Sequence, residues 1–336
     1  MRFKLGTFSM AGAPSFPGLI LQGDSRIVPL RRAEPLCARL GLPLRQPDSL
    51  LSLLNEWEAN FEALAILCES VPDELRETSL AADELHTRAP IDPPRQIFCT
   101  IANYRSHIIE TTVDMGVPPH TDGMDEQARL SYANKLIEER LRGAPYACMK
   151  LPSAVIGPTD PLELPRHAQR VDWELELGVV IGKTARRVSH AQAMNYVAGY
   201  VLANDITARD RVRRADVPSL GTDWLQSKSA PGFLPLGPYF VPAPFLPDPY
   251  GVALTLSVND RRMQAGLTSD MLFDIAGQIE YISQHARLLP GDVICTGTPA
   301  GCGTHFKRYL QPGDVIHASA TELGNQHTAC VAENIR

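Results

Sequence analysis

Apolar positions recur along this chain with two periods. Leu50, Leu53, Leu54, Trp57, Phe61, Leu64 and Cys68 return every three or four residues, which predicts one amphipathic helix stopped by Pro72. Leu272, Ile275, Ile279 and Ile282 form a second helical stripe. Ser189 followed by Gln192 has the spacing of a capping box and predicts a helix ending near Gly199. Asp125 to Arg142 reads as a charged helix after a loop at 116–123. Elsewhere the period is two. Val252, Leu254, Leu256 and Val258 alternate with small or polar residues before Asn259-Asp260, a strand entering a hairpin turn. Residues 1–30 read as short strands with turns at Pro14, Pro17 and Gly23-Asp24, and 97–101 as an apolar strand. The segments 288–294 and 310–316 echo each other around Pro-Gly-Asp-Val-Ile, a turn that launches a strand. Ala89-Pro90-Ile91-Asp92-Pro93-Pro94 is a stiff connector. It divides a small N-terminal α+β domain, 1–92, from a strand-rich domain, 95–336. The fold class is α+β, rich in β.

Composition narrows the function classes. The 336 residues are 44% hydrophobic and 21% charged, and Lys+Arg 32 against Asp+Glu 38 gives a net charge of −6. No basic block of the kind that grips nucleic acid or an anionic membrane occurs. The densest basic run, Arg209 to Arg214, is interrupted by Asp210. The 7 cysteines are scattered without a Cys-x-x-Cys pair, which predicts neither a zinc knuckle nor a disulfide framework. The N-terminus has no apolar core of signal-peptide length, and no stretch approaches the ~18 apolar residues of a membrane span. The expectation is a cytoplasmic, unprocessed protein.

The informative segment is Val171-Asp172-Trp173-Glu174-Leu175-Glu176-Leu177-Gly178-Val179-Val180-Ile181-Gly182, read as a strand. Alternation puts Glu174 and Glu176 on one face. Alone, that pattern also describes an edge strand with its glutamates in water. The next apolar run, Tyr200 to Asn204, ends at Asp205. A third acid there completes an oxygen-only site for Mg²⁺ or Mn²⁺, which would relieve the repulsion of buried carboxylates.

Asn103-Tyr104-Arg105-Ser106-His107-Ile108-Ile109-Glu110 follows the first strand of the larger domain. His107 and Glu110 are spaced to meet on one helical turn, where a carboxylate would raise imidazole basicity. The same spacing also suits an ordinary surface pair. Thr296-Gly297-Thr298-Pro299-Ala300-Gly301 is Gly-rich but lacks the Gly-Lys-Ser/Thr ending of a phosphate loop. Close backbone approach to a small ligand at Gly297 fits better.

Asp172 to Leu177, Asn204-Asp205-Ile206-Thr207-Ala208-Arg209-Asp210, Gly237-Pro238, Pro290 to Ile294 and Thr296 to Gly301 occur in that order. Together they resemble the fumarylacetoacetate hydrolase (FAH) superfamily over roughly 95–335. The resemblance implies a mixed β-sandwich roll, usually dimeric, with Mg²⁺, Mn²⁺ or Ca²⁺ chelated by Glu174, Glu176 and Asp205. It also implies a His107–Glu110 dyad that activates water on a lid spanning 105–143. Lys228 matches the active-site lysine, Arg209 and Thr298 match positions near the substrate, and Lys150 resembles a further one. Without the resemblance, Arg209 reads equally as a salt-bridge partner of Asp210 or Asp216.

The expected activity is metal-dependent hydrolysis of a C–C bond in an acylpyruvate or β-diketo acid of aromatic or related catabolism. Fumarylpyruvate and fumarylacetoacetate are examples. Oxaloacetate decarboxylation, or isomerisation or hydration of a 2-oxo acid, is the alternative within the family. A non-catalytic ligand-binding protein is the rival from another class. Two departures bear on the substrate: Lys228-Ser229-Ala230-Pro231 lacks the acid of Lys-Ser-Phe-Asp, and Arg211-Val212 replaces a frequent Leu-Gln.

Overall fold

The computed structural model describes residues 2–21, 23–117 and 120–334. The first strands form, but Pro17, expected at a turn, lies inside the strand Phe16–Ile20 opposite Thr7. Lys4–Ser9, Phe16–Ile20 and Arg26–Pro29 make an antiparallel meander, flanked by His86–Arg88 on one side and Leu80–Ala81 on the other.

The helix expected through 50–68 is two helices, Leu50–Leu54 and Trp57–Ser70. Asn55 ends the first, and its side chain is held outward by Gln46 and Arg95. The Asn60 amide then donates to Leu53 O at 2.9 Å, satisfying a carbonyl freed by the break. Both pieces keep the stripe's apolar face in one core. Pro72, expected only as a stop, opens the next helix, Pro72–Glu77, at its first position.

The central sheet runs Val241–Pro242, Val197–Asn204, Leu175–Ile181, Val293–Cys295, Ile97–Thr100, Ala147–Lys150. Its pairings are antiparallel except Val293–Cys295 with Ile97–Thr100. Leu175–Ile181 is buried at every position, as suits a strand covered on both faces. A second five-stranded sheet, Arg261–Leu267, Ala253–Val258, Val315–Ala320, Gly324–Ala332, Leu162–Leu164, packs beside it. Its hairpin turns at Asn259 and Asp260 with φ of 49° and 63°, the left-handed pair a tight turn needs. The two Pro-Gly-Asp turns launch Val293–Cys295 and Val315–Ala320, which belong to different sheets.

Two further expectations are corrected. The helix after Ser189 is only His190–Ala193 plus a 3₁₀ turn, and Gly199 lies inside the Val197–Asn204 strand. Ser189 makes no cap bond; Glu280 accepts the His190 N–H instead. Gly199 serves packing, since a Cβ there would come within 2.2 Å of Val241 O. The strand expected at 171–182 breaks at Trp173-Glu174, leaving Val171–Asp172 paired with Thr207–Ala208. Asp172 Oδ1 accepts the Trp173 N–H at 2.8 Å, a local bond that competes with the ladder.

Helices Arg105–Met115 and Glu126–Leu141 pack together, with Arg129 donating to Val113 O at 3.0 Å. Pro118 and Pro119, inside the loop expected at 116–123, lie outside the described residues. The apolar core crosses the Pro-rich connector: Leu5 and Leu64 share it with Leu175 and Phe240. Leu5 and Phe240 also exchange two backbone hydrogen bonds, at 2.9 and 2.7 Å.

Candidate metal centre

Leu175–Ile181 and Val197–Asn204 pair with Leu175 opposite Asn204. That register brings Glu174 and Glu176, near the start of one strand, beside Asp205, just past the end of the other. Two bonds fix the corner: Asp205 N–H to Glu174 O at 2.8 Å, and Glu174 N–H to Asn204 Oδ1 at 3.0 Å. One carboxylate oxygen from each of Glu174, Glu176 and Asp205 lies within 4.8 Å of the others, and all three side chains are buried.

Cations and hydrogen-bond donors meet these acids, Thr207 Oγ1 donating to Glu174 Oε2 at 3.1 Å among them. Lys228, on the short helix Trp224–Lys228, donates to Glu174 Oε2 at 2.8 Å and to Thr207 Oγ1 at 3.0 Å, and also bonds Asp205 Oδ2. Lys150 Nζ stands 2.6 Å from Asp205 Oδ1. Arg209 pairs with Glu174 at 2.6 Å and with Asp172 at 2.9 Å, and with neither Asp210 nor Asp216. The Gly297 N–H donates to Glu176 Oε2 at 2.7 Å. Lys150 and Lys228 are both fully buried against Asp205.

The titration behaviour follows from this sharing. Burial works against a charge on Glu174, but Arg209 and Lys228 outweigh it and hold the carboxyl below its usual range. Glu176 goes the other way. Burial, then the charges of Asp205 and Glu174, push it well above a normal glutamate. Asp205 is raised by burial, with the two lysines opposing. Its Oδ1 is buried without a hydrogen-bond donor, the contact with Lys150 being ionic.

A divalent cation fits this set. The donors are hard oxygens with no sulfur or imidazole among them, the chemistry of Mg²⁺ and Mn²⁺. Oxygens bound at about 2.1 Å sit at most ~4.2 Å apart across an octahedral ion, so small side-chain rotations suffice. Glu176, raised by burial beside Asp205 and Glu174, is the group such an ion would satisfy most.

Glu174 and Glu176 open on a cavity of about 60 Å³, also walled by His107, Arg209, Lys228 and Thr298. That is room for a few waters at roughly 10–15 Å³ each. His107 lies on the Arg105–Met115 helix and is buried. Burial, aided by Arg209, lowers its imidazole to about 4, so the ring is neutral at physiological pH with a lone pair free. The expected contact with Glu110 is not made. Both Glu110 oxygens accept the Gly301 N–H, at 2.8 and 2.9 Å, and His305 is the neighbouring imidazole. His107 Nδ1 instead faces Cys302 Sγ at 3.8 Å. Buried backbone N–H groups claim a carboxylate before an exposed-helix pairing can.

The Gly-rich loop closes the cavity's far wall. Gly297 has φ +97°, and a Cβ there would come within 2.9 Å of Asn103 Cβ. Thr298 Oγ1 donates to Leu175 O at 2.9 Å, and Gln264 Nε2 donates to Thr298 at 2.8 Å. Gln264 was not legible as a site residue, nor was Asp172. Asp172 accepts from Gly303 N–H at 2.6 Å as well as from Arg209, tying the loop to the acidic strand. Its place in Asp-Trp-Glu-x-Glu was the available signal. Asn103 likewise donates to Thr296 O at 2.9 Å and Phe273 O at 3.0 Å.

Residues 96–331 match the family described as fumarylacetoacetate (FAA) hydrolase C-terminal. This chain belongs to the fumarylacetoacetate hydrolase family. The FAH-family 2,4-didehydro-3-deoxy-L-rhamnonate hydrolase of Sphingomonas sp. (strain SKA58) is 39% identical over 224 residues, covering 65% of this chain and 77% of the relative. Human mitochondrial oxaloacetate tautomerase FAHD2A is 32% identical over 281 residues, 83% of this chain and 78% of that one. Among solved structures, fumarylacetoacetate hydrolase from Exiguobacterium antarcticum aligns with a TM-score of 0.72 at 29% identity, over 98% of this chain and 100% of that one. Maleylpyruvate hydrolase from Sphingobium sp. SYK-6, in complex with manganese(II) and pyruvate, aligns with a TM-score of 0.69 at 25% identity, over 98% and 100%. The strand-rich α+β architecture is thus the FAH fold. Its relatives are hydrolases, tautomerases and isomerases of small organic acids. No described helix is long and apolar enough to cross a membrane.

Proposed function

We propose that this chain is an Mg²⁺- or Mn²⁺-dependent hydrolase of a C–C bond in an acylpyruvate or related β-diketo acid. The observation that carries the reading is a neutral imidazole, His107, in the wall of the same cavity that Glu174 and Glu176 line, with Asp205 converging on those two acids from behind. Glu174, Glu176 and Asp205 hold the ion, which when bound supplies Lewis-acid polarisation and a template for a 2-oxo carboxylate. His107 takes a proton from water as the water oxygen attacks the distal carbonyl. The C–C bond then breaks, its electron pair passes to the pyruvate fragment as an enolate, and His107 returns the proton. Arg209 and Lys228 offset the negative charge of substrate and enolate. Gly297 and Thr298 shape the wall against the bound acid, and Lys150 opposes the burial that disfavours a charge on Asp205. A diketo acid exceeds the present cavity, so entry requires the wall formed by helices 105–143 to shift, in keeping with a lid.

A second reading, tautomerisation of a 2-oxo acid such as oxaloacetate, is favoured by a specific observation. Glu110 is committed to Gly301 and leaves His107 without the carboxylate that would strengthen it for water. Moving a proton between carbon and oxygen asks less of the base. Acetylpyruvate, fumarylpyruvate and oxaloacetate, each assayed with Mg²⁺ and with Mn²⁺, separate the two. Pyruvate release from the first pair supports hydrolysis. Keto–enol exchange of oxaloacetate without C–C cleavage of any of them overturns it.

The seven cysteines are free and buried, in keeping with a reducing, cytoplasmic setting. A homodimer is supported by the edge strand Ala147–Lys150, beside which Tyr146, Met149, Leu151 and Leu225 expose apolar surface. Residues 1–92 would act as a small N-terminal α+β domain buttressing that catalytic unit.

A further inference from the structure

His107, Cys302 and Glu174 come from three separate segments, a helix, the Gly-rich loop and the acidic strand. A nitrogen of the first, the sulfur of the second and a carboxylate oxygen of the third lie within 4.8 Å of one another. All three side chains are buried, and the sulfur–nitrogen contact is 3.8 Å. The chemistry of this set is unlike that of the neighbouring acids. One sulfur, one imidazole nitrogen and one carboxylate oxygen are the donors of Zn²⁺ and similar borderline cations, which Mg²⁺ and Ca²⁺ do not seek.

We propose that His107, Cys302 and Glu174 form a second metal site, of zinc type, that shares Glu174 with the hard-cation site and silences the enzyme when filled. Filling it forms a metal–sulfur bond and releases the thiol proton to solvent. It also ties up the His107 lone pair, the group that would otherwise accept a proton from water. Glu174 must then turn one oxygen from Arg209, with which it now pairs at 2.6 Å. Three protein donors leave one position of a tetrahedral ion for water. Zn²⁺ therefore inhibits at saturating Mg²⁺ through His107 and Cys302, two donors that Mg²⁺ does not seek.

The inference rests on Glu174 and His107 belonging to the working site, and its test is arranged to fail separately. Co²⁺ is added to the full-length protein already loaded with Mg²⁺, and the near-ultraviolet thiolate-to-cobalt charge-transfer band is recorded. Zn²⁺ binding is measured in parallel against a chromophoric chelator. The wild type should show the band and take up one Zn²⁺ beyond its Mg²⁺. Cys302→Ala should lose the band and bind that Zn²⁺ at least tenfold more weakly, since loss of mere outer-shell support costs about 10–100-fold. His107→Ala should also weaken it. Mn²⁺ binding by Cys302→Ala, read by electron paramagnetic resonance, shows that the carboxylate site and the fold persist. Absence of a thiolate band in the wild type, or Zn²⁺ uptake unchanged by Cys302→Ala, overturns the proposal and leaves the acidic site standing. Loss of Mn²⁺ binding from the wild type would instead strike the hydrolase reading.

Discussion

The ammonium of Lys150 stands 2.6 Å from Asp205 Oδ1, and neither side chain reaches solvent. Two charges in such surroundings are costly singly and tolerable together. Lys150→Met should therefore leave Asp205 to Lys228 alone and destabilise the fold by less than the roughly 3–5 kcal/mol of a fully broken buried pair. The deficit should shrink on adding Mg²⁺, because the ion supplies the missing positive charge. Urea unfolding with and without Mg²⁺ measures both; an equal loss in the two conditions contradicts the arrangement.

Glu176 is held well above its ordinary range by burial and by two like charges. Replacing it with Gln removes the repulsion and one ligand together. Glu176→Gln should match or exceed the wild type in stability when chelator is present. It should fail to gain the ~2.7 kcal/mol that a ligand at a hundred times its Kd confers. Thermal unfolding with EDTA and then with Mn²⁺ reads the two halves of this expectation. A wild-type-sized Mn²⁺ shift in the variant would remove Glu176 from the ligand set.

Glu110 and His107 should part company under mutation. His107→Ala should lower kcat/KM by about 10²–10⁴-fold, the usual worth of a general base, with Mn²⁺ affinity retained. Glu110→Gln can still accept the Gly301 N–H, so it should lose far less and leave the pH profile of kcat/KM in place. If Glu110→Gln instead matches His107→Ala and shifts that profile, the carboxylate supports the imidazole during turnover after all.

The echoed Pro-Gly-Asp turns supply a pH prediction. Asp292 Oδ2 accepts from Leu289 N–H and Gln96 Nε2, both at 2.7 Å, while its Oδ1 is buried without a partner. Burial raises it to about 6. Asp314 in the second turn accepts from Arg308, Asn259 and Gln311 N–H, and those bonds hold it below its usual value despite desolvation. For Asp292 the folded state prefers the protonated acid. Its contribution to stability is whole below the unfolded carboxyl value near pH 4 and is lost as pH climbs through about 6. Asp292→Asn keeps an oxygen for both donors and puts an amide where the bare oxygen was. Urea midpoints between pH 4 and 7 should fall less steeply in that variant. An identical slope would mean that Asp292 does not titrate there.

What the sequence disclosed and withheld divides along physical lines. Glu174, Glu176 and Asp205 were legible because strand periodicity and strand ends decide which way such residues face. The break at Trp173-Glu174 was not, since it depends on Asp172 turning to the backbone. The direction of Glu110 was equally hidden. Helical spacing permits a meeting with His107, whereas the Gly301 N–H that wins lies far along the chain. Lys150 left a trace that went unread. On its strand Cys148 and Lys150 face inward while Met149 faces out, an inverted polarity that marks a lysine with an internal task. Gln264 left none, because its partners Leu175 and Thr298 meet it only once both sheets are assembled.

One residue, Gly301, touches both halves of this machinery. The Gly301 N–H is gripped by Glu110 of the Arg105–Met115 helix, and its carbonyl accepts Trp173 Nε1 at 2.9 Å from the break before the Leu175–Ile181 strand. A Cβ at that glycine would fall 2.0 Å from Met263 O. The helix therefore cannot lift without letting go of a loop whose other end grips the ligand strand. In the proposed lid, admission of a substrate and the alignment of the residues that greet it would be a single hinged event.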